Sequence, residues 1–142
     1  MSARWCRAVL LLLAGVGAYV GVWAYFAPGP WHRAFPGLGT YRLPVSGPRS
    51  EHLSKDVGAF YLALAALSLI TAGRTYDTRL VRATGFTWLL FGVLHLIHHV
   101  QHLHAYHGRD RVLNAVALGL LVLAALVLLV PAGPERRPGS GR

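Results

Sequence analysis

The chain has 142 residues, of which 54% are hydrophobic and 13% are charged. An ordinary soluble domain carries about 25% charged residues, so this composition excludes a typical soluble protein and indicates an integral membrane protein of one domain. The formal net charge is +9. Arginines account for most of it and lie mainly in short segments that flank apolar stretches, which is typical of charges that set membrane orientation. The expected partner is therefore the lipid bilayer, and nucleic acid is not expected.

Four apolar stretches are each close to the roughly 20 residues that span a bilayer. They predict transmembrane helices at about 8–27, 56–72, 83–103 and 112–130. The first stretch exceeds the apolar core of a typical secretory signal peptide, so we expect it to be retained as a helix. The predicted fold is all-α: a four-helix integral membrane bundle with antiparallel up-down topology, forming one domain over residues 1–131.

The connections between these helices differ in character. Residues 28–55 form the predicted extracytoplasmic loop, and the prolines and glycines of 28–49 predict that this part is not a regular helix. The tail 132–142 is rich in proline, glycine and arginine and is expected to be disordered. We expect a multi-pass protein of a bacterial plasma membrane. Slightly more basic residues lie on the side of the predicted bundle that holds both termini than on the opposite side, which predicts that both termini are cytoplasmic.

Three helices carry pairs of small residues four apart, a spacing that lets membrane helices approach closely. These pairs are Gly17/Gly21, Ala59/Ala63 and Ala115/Gly119. They predict helix packing within the chain, with a homo-oligomer formed through the first helix as the alternative.

The third predicted helix carries a stripe of histidines in an otherwise apolar stretch. The stripe consists of His95, His98, His99 and His102. At about 100° per residue these positions lie within roughly a 100° arc of one helix face. Because polar groups in a membrane span usually point into a protein interior and often mark function, the stripe is the candidate site.

Polar residues of two other predicted helices are expected at the same membrane level. Glu51, His52 and Asp56 precede or open the second helix, while Asp110 and Asn114 open the fourth. For the acids, a simpler interpretation is stabilisation of a first helical turn, with Ser50 or Ser54 as the N-cap. If all three helix ends converge, they form one site in the outer half of the bundle.

Imidazoles four residues apart on a helix can share one metal ion, and carboxylates can complete its coordination. The candidate metal ligands are His95, His98, His99, His102, His52, Glu51 and Asp56. A transition metal is one expectation, and haem held by imidazoles of two helices is a variant of it. The alternatives are a cofactor-free structural or accessory protein whose histidines only support helix packing, and a proton relay, pH sensor or small transporter that acts as an oligomer.

The sequence leaves open whether the protein is an enzyme. His95-Leu-Ile-His98-His99 matches the HxxHH box of membrane di-iron desaturases and hydroxylases, but no clear second box accompanies it. No pairing of a nucleophile with a base is visible, so no catalytic residue is assigned.

Two segments carry a family resemblance. The run Trp31-His-Arg-Ala-Phe35-Pro-Gly, followed by Glu51-His-Leu-Ser-Lys-Asp56-Val-Gly-Ala-Phe-Tyr, resembles small actinobacterial membrane proteins that are DoxX-like in size and layout. The resemblance covers most of residues 8–130. It implies a four-helix membrane bundle and supplies neither catalytic residues nor a cofactor.

Overall fold

The computed structural model describes residues 2–34, 49–102 and 109–130, with side chains described at 2–31, 51–102 and 111–130. The described ranges contain helices and turns and no strand. The helices are α1 (Ala3–Phe26), α2 (Pro28–Ala34), α3 (Arg49–Ala72), α4 (Thr78–Gln101) and α5 (Arg109–Leu129). The predicted tail 132–142 and most of the predicted loop lie outside these ranges.

Four of the described helices are long and apolar enough to cross a membrane. Their most apolar windows have mean hydropathies of 2.0 in α1, 1.5 in α3, 1.6 in α4 and 2.8 in α5. Helices satisfy their own backbone hydrogen bonds, which is what a spanning segment requires. The prediction of an all-α four-helix membrane bundle is confirmed, whereas the direction of each helix across the membrane stays a prediction.

All four long helices begin earlier than their apolar stretches predict. Asp77 caps α4, since its carboxylate accepts hydrogen bonds from the backbone N–H groups of Arg79 and Leu80, both at 3.1 Å. Helix α3 begins at Arg49, so Ser50 and Ser54 both lie inside it and the prediction that one of them is the N-cap is wrong. Apolar patterning marks the membrane span, while the helical backbone continues into the polar region beyond it.

The prediction that 28–49 excludes a regular helix is also wrong at its start. Helix α2 begins at Pro28, with Pro30 in its first turn. Proline is tolerated there because the first N–H groups of a helix have no partner within it. The N–H of Trp31 donates to the carbonyl of Ala27 at 2.9 Å and closes this first turn.

Glycines set the closest helix contacts. A Cβ on Gly17 would lie 2.9 Å from the Tyr61 carbonyl oxygen, and one on Gly21 would lie 2.9 Å from that of Gly58. The Gly17/Gly21 pair therefore packs α1 against α3 within the chain, which was the favoured prediction for this pair. Gly85 approaches Leu128 in the same way and joins α4 to α5.

A buried polar seam joins α3 to α4. The Thr71 and Thr84 hydroxyls are 2.8 Å apart, and the Trp88 indole N–H donates to Ser68 Oγ at 2.7 Å. Along this seam the residue numbers rise on α3 and fall on α4, since Ser68 meets Trp88 and Thr71 meets Thr84. Together the contacts place α1 beside α3, α3 beside α4 and α4 beside α5.

Candidate functional site

The four histidines of the predicted stripe contact one another along the last two turns of α4. The ring centroids of His95 and His99 are 4.6 Å apart, those of His99 and His98 are 5.7 Å apart, and those of His98 and His102 are 4.5 Å apart. We call this set the histidine column. It runs from the half-buried His95 to the exposed His102 at the helix end.

Aromatic rings close the inner end of the column. The His95 ring stacks on Phe91 at 5.3 Å with an interplanar angle of 14°, and it meets the Tyr61 ring of α3 edge-on at 6.1 Å. About two turns from His95 toward the start of α4, Trp88 is fully buried and tilted against Tyr61. The series of imidazoles therefore ends on an aromatic layer inside the bundle.

A hydrogen bond ties the column to α5. Asn114 Nδ2 lies 3.0 Å from His99 Nδ1. Because an amide nitrogen can only donate, His99 Nδ1 is the acceptor, and the neutral ring then carries its proton on Nε2. The prediction that Asn114 reaches the stripe from the start of the last helix is confirmed.

The column ends in a helix cap. His102 Nδ1 lies 2.7 Å from the backbone carbonyl of His98, and the His102 backbone N–H reaches the carbonyls of His99 and Val100. Since the carbonyl accepts, His102 Nδ1 carries a hydrogen. In the neutral ring the lone pair then lies on Nε2.

Charged groups near the start of α3 pair with one another. Lys55 Nζ lies 2.9 Å from Glu51 Oε1, and His52 Nε2 lies 3.4 Å from Asp56 Oδ2. These are i, i+4 pairs on a solvent- or lipid-exposed part of the helix. What α3 brings to the histidine column is Tyr61, not the acids that the sequence suggested, so the described contacts differ from the predicted three-helix convergence.

The described side chains contain no group of three or more histidine, cysteine, aspartate or glutamate residues that could hold a metal ion. The chemical role of the seven candidate ligands, and that of a haem, stays a prediction. The side chain of Asp110 and the histidines at 32, 104 and 107 lie outside the described side chains.

Sequence reasoning missed the seam of Ser68, Thr71, Thr84 and Trp88. Each hydroxyl in it also donates to or lies against a carbonyl one turn earlier, as Ser68 Oγ does to Leu64 O at 2.8 Å. The sequence feature that could have predicted the seam is the presence of hydroxyl residues in two successive predicted spans, Ser68 and Thr71 in the second and Thr84 in the third. Trp88 itself is a packing residue inside the bundle, since its exposed fraction is 0%.

No family model, curated protein or solved structure matches this chain. The DoxX-like resemblance therefore stays a prediction, and the site has to be interpreted from its own geometry.

Proposed function

We propose that the protein is a pH-responsive plasma membrane protein whose histidine column accepts protons from one aqueous side. The observation that carries this proposal is the unbroken series of imidazole contacts from the exposed His102 to the half-buried His95. Histidine is the side chain that ordinarily changes charge near neutral pH. Contacting imidazoles can share and pass on a proton, whereas one isolated ring cannot.

The groups packed around the column favour a pH sensor over a pathway that carries protons across the membrane. From α3 it meets the Tyr61 ring, and from α5 it meets the Asn114 amide, with Arg111 three residues before Asn114. Beyond Phe91 and Tyr61 lies Trp88, whose indole N–H is a donor only and is engaged with Ser68. A proton that enters at His102 thus meets an aromatic barrier within the bundle.

The His99–Asn114 hydrogen bond provides a way to convert protonation into structure. Proton uptake at His99 Nδ1 turns this acceptor into a donor. The Asn114 amide must then rotate to present Oδ1, or the link between α4 and α5 is lost. A second charge on His95, 4.6 Å away, adds like-charge repulsion in a region of low dielectric.

Nuclear magnetic resonance on the full chain, with 15N-labelled histidine and asparagine in lipid nanodiscs, tests this proposal between about pH 3 and pH 8, a range that covers buried as well as exposed imidazoles. The expected result is that a column imidazole titrates and that the Asn114 side-chain amide shifts with the same midpoint. His52→Asn is the matched control, because it removes a histidine outside the column and leaves this behaviour unchanged. Column resonances that do not move over this range would refute the sensor and leave the column with a helix-packing role.

The tautomer of His102 favours transition-metal binding as a second candidate. Metal-bound histidines usually donate their other ring N–H to a carbonyl or carboxylate. His102 Nδ1 does this toward the His98 carbonyl, and the His98 ring lies 4.5 Å away. Mass spectrometry of metals in the purified protein, together with its visible absorption spectrum, tests both a metal and a haem. Stoichiometric metal that His98→Asn removes and His52→Asn retains would support this candidate.

A further inference from the structure

The end of the bundle opposite the histidine column carries a group of exposed arginines. They lie one to four residues outside the apolar stretches 8–27, 56–72 and 83–103. We call this set the arginine belt, and it consists of Arg4 and Arg7 of α1, Arg74 of the turn after α3, and Arg79 and Arg82 of α4.

The contacts between α1 and α3 set the depth of the two arginines on α1. Helix α1 runs antiparallel to α3, and a Cβ on Gly17 would lie between Tyr61 and Ala65. Arg7 is ten residues nearer the start of the chain than Gly17. It is therefore level with the turn that follows α3, and Arg4 lies about 4.5 Å further out.

The contacts between α3 and α4 set the depth of the other arginines in the same way. Thr71 faces Thr84 in this antiparallel pair of helices. Arg82, two residues earlier on α4, is therefore level with the same turn, to which Arg74 itself belongs, and Arg79 lies about 4.5 Å further out. The backbones of all five arginines thus occupy one layer about 5 Å deep.

No described acid forms an ion pair with the arginine belt. Lys55 and His52 pair with their acids at the other end of the bundle, and the Asp77 carboxylate caps α4 by accepting backbone N–H groups. Arg4 and Arg79 lie in first helical turns, where the helix dipole favours acids over bases, so neither arginine stabilises its own helix. Within the described residues, the charge of the belt is left for a molecule outside the chain.

Two aromatic rings show which part of the membrane this layer meets. Trp5 is 70% exposed and Tyr76 is 82% exposed, and both lie in the chain between members of the arginine belt. Tryptophan and tyrosine at the ends of membrane spans are typical of the headgroup level. Because the apolar stretches also end here, the arginine belt lies at the depth of the lipid phosphates.

We propose that the arginine belt binds anionic phospholipids through their headgroup phosphates and selects them over zwitterionic lipids. Arg4 and Arg7 are three residues apart on one helix, as are Arg79 and Arg82, which places their Cβ atoms about 5–6 Å apart. Two guanidinium groups at this spacing can donate to the oxygens of one phosphate. A zwitterionic headgroup brings its own cation into the layer, whereas an anionic headgroup such as phosphatidylglycerol does not.

This binding is independent of the proposed proton site, because the histidine column lies at the other end of α4. Native mass spectrometry of the full chain in detergent, titrated with phosphatidylglycerol or phosphatidylcholine, tests it. Each basic residue near a membrane surface strengthens the binding of anionic lipid about fivefold. Arg79→Gln/Arg82→Gln should therefore weaken phosphatidylglycerol binding about fivefold to 25-fold and leave phosphatidylcholine binding unchanged. Arg4→Gln/Arg7→Gln, on a different helix, should have the same effect.

The matched control is Lys55→Gln/Arg111→Gln, which removes the same two charges from the other end, where Lys55 is paired with Glu51. It should leave phosphatidylglycerol binding within about twofold of the wild type. An equal loss in the control and the belt variants would overturn the proposal. So would equal binding of the two lipids by the wild type.

Two measurements on the unmodified chain separate a lipid from a soluble phosphate. Raising the salt concentration about tenfold should weaken phosphatidylglycerol binding, because exposed charges are screened. Glycerol 3-phosphate carries the phosphate without acyl chains and should not displace the lipid. Displacement by glycerol 3-phosphate at the concentration of the lipid would make a soluble phosphate the ligand and overturn the proposal.

Discussion

Asn114 Nδ2 lies 3.0 Å from His99 Nδ1, so an amide in the second turn of α5 is bonded to an imidazole in the last turns of α4. Toward the other end of these two helices, Gly85 meets Leu128 in an apolar contact. The hydrogen bond therefore defines the register of the two helices at the end where the histidine column reaches the surface. It also couples the protonation state of the column to the packing of α5.

Replacing Asn114 by leucine removes this link. We expect it to destabilise the folded protein in detergent by about 0.6–2 kcal/mol, the range for hydrogen bonds between membrane helices. Denaturant unfolding followed by tryptophan fluorescence measures the change. Val116→Ala, an exposed position on the same helix, is the control and should cost less. A double-mutant cycle with His99→Leu should return a coupling energy of the same sign, and zero coupling would contradict the assigned hydrogen bond.

Ser68→Ala should destabilise the chain by about 1–3 kcal/mol, because it leaves the buried Trp88 indole N–H without its acceptor. Thr87→Ala is the control. Thr87 is exposed and its hydroxyl only reaches the carbonyl of Ala83 in its own helix, so its loss should have little effect. If Ser68→Ala proves as mild as Thr87→Ala, the seam does not hold α3 to α4.

Two glycines should respond in opposite directions to the same substitution. Gly85→Ala places a Cβ 2.8 Å from Leu128 Cβ and is expected to cost about 1–3 kcal/mol through overpacking. Gly119→Ala meets no atom within 4 Å and should raise stability by up to about 1 kcal/mol through helix propensity. Thermal unfolding of the two variants side by side checks the signs. Equal effects would show that α4 and α5 do not approach at Gly85.

Acidification should lower the stability of the bundle. Charging His95 and His99 together places two positive rings 4.6 Å apart and removes the acceptor for Asn114. Stability is therefore fully present above about pH 6.5, the pKa of a histidine in the unfolded chain, and is lost progressively as pH falls below that value. Unfolding midpoints measured across this range should fall more steeply for the wild type than for a His95→Phe/His99→Leu variant. An identical pH dependence in both would exclude the column as its source.

The predicted orientation has its own test. In the Cys6→Ser background, a cysteine placed in the 28–49 loop should react with a membrane-impermeant maleimide from outside intact cells. A cysteine at the start of the chain, such as Ser2→Cys, serves as the cytoplasmic control and should react only after lysis. Labelling of the loop only after lysis would invert the topology.

Much of the fold could be predicted because membrane insertion of a helix depends on the hydropathy of consecutive residues, which the sequence states directly. About 20 apolar residues in sequence make a spanning helix wherever they occur, so the four long helices followed from hydropathy alone. The first residues of the helices could not be predicted from hydropathy. Helices α3 and α4 begin in polar sequence before the apolar stretch, where capping residues determine where a helix starts. Helix α2 was missed because proline excludes the middle of a helix but not its first turn.

The candidate site, like the fold, has one part that the sequence predicts and another part that it does not. That His95, His98, His99 and His102 share one face of a helix follows from their spacing, because helical periodicity is a property of backbone geometry. What that face contacts depends on how the helices pack together. The rotation of α3 about its axis turns Tyr61 toward the histidines and leaves His52 and Asp56 on its outward side, and that rotation depends on the close approach of Gly17 and Gly21 to α3. Contacts of this kind sum over many residues distant in sequence, so no local pattern contains them.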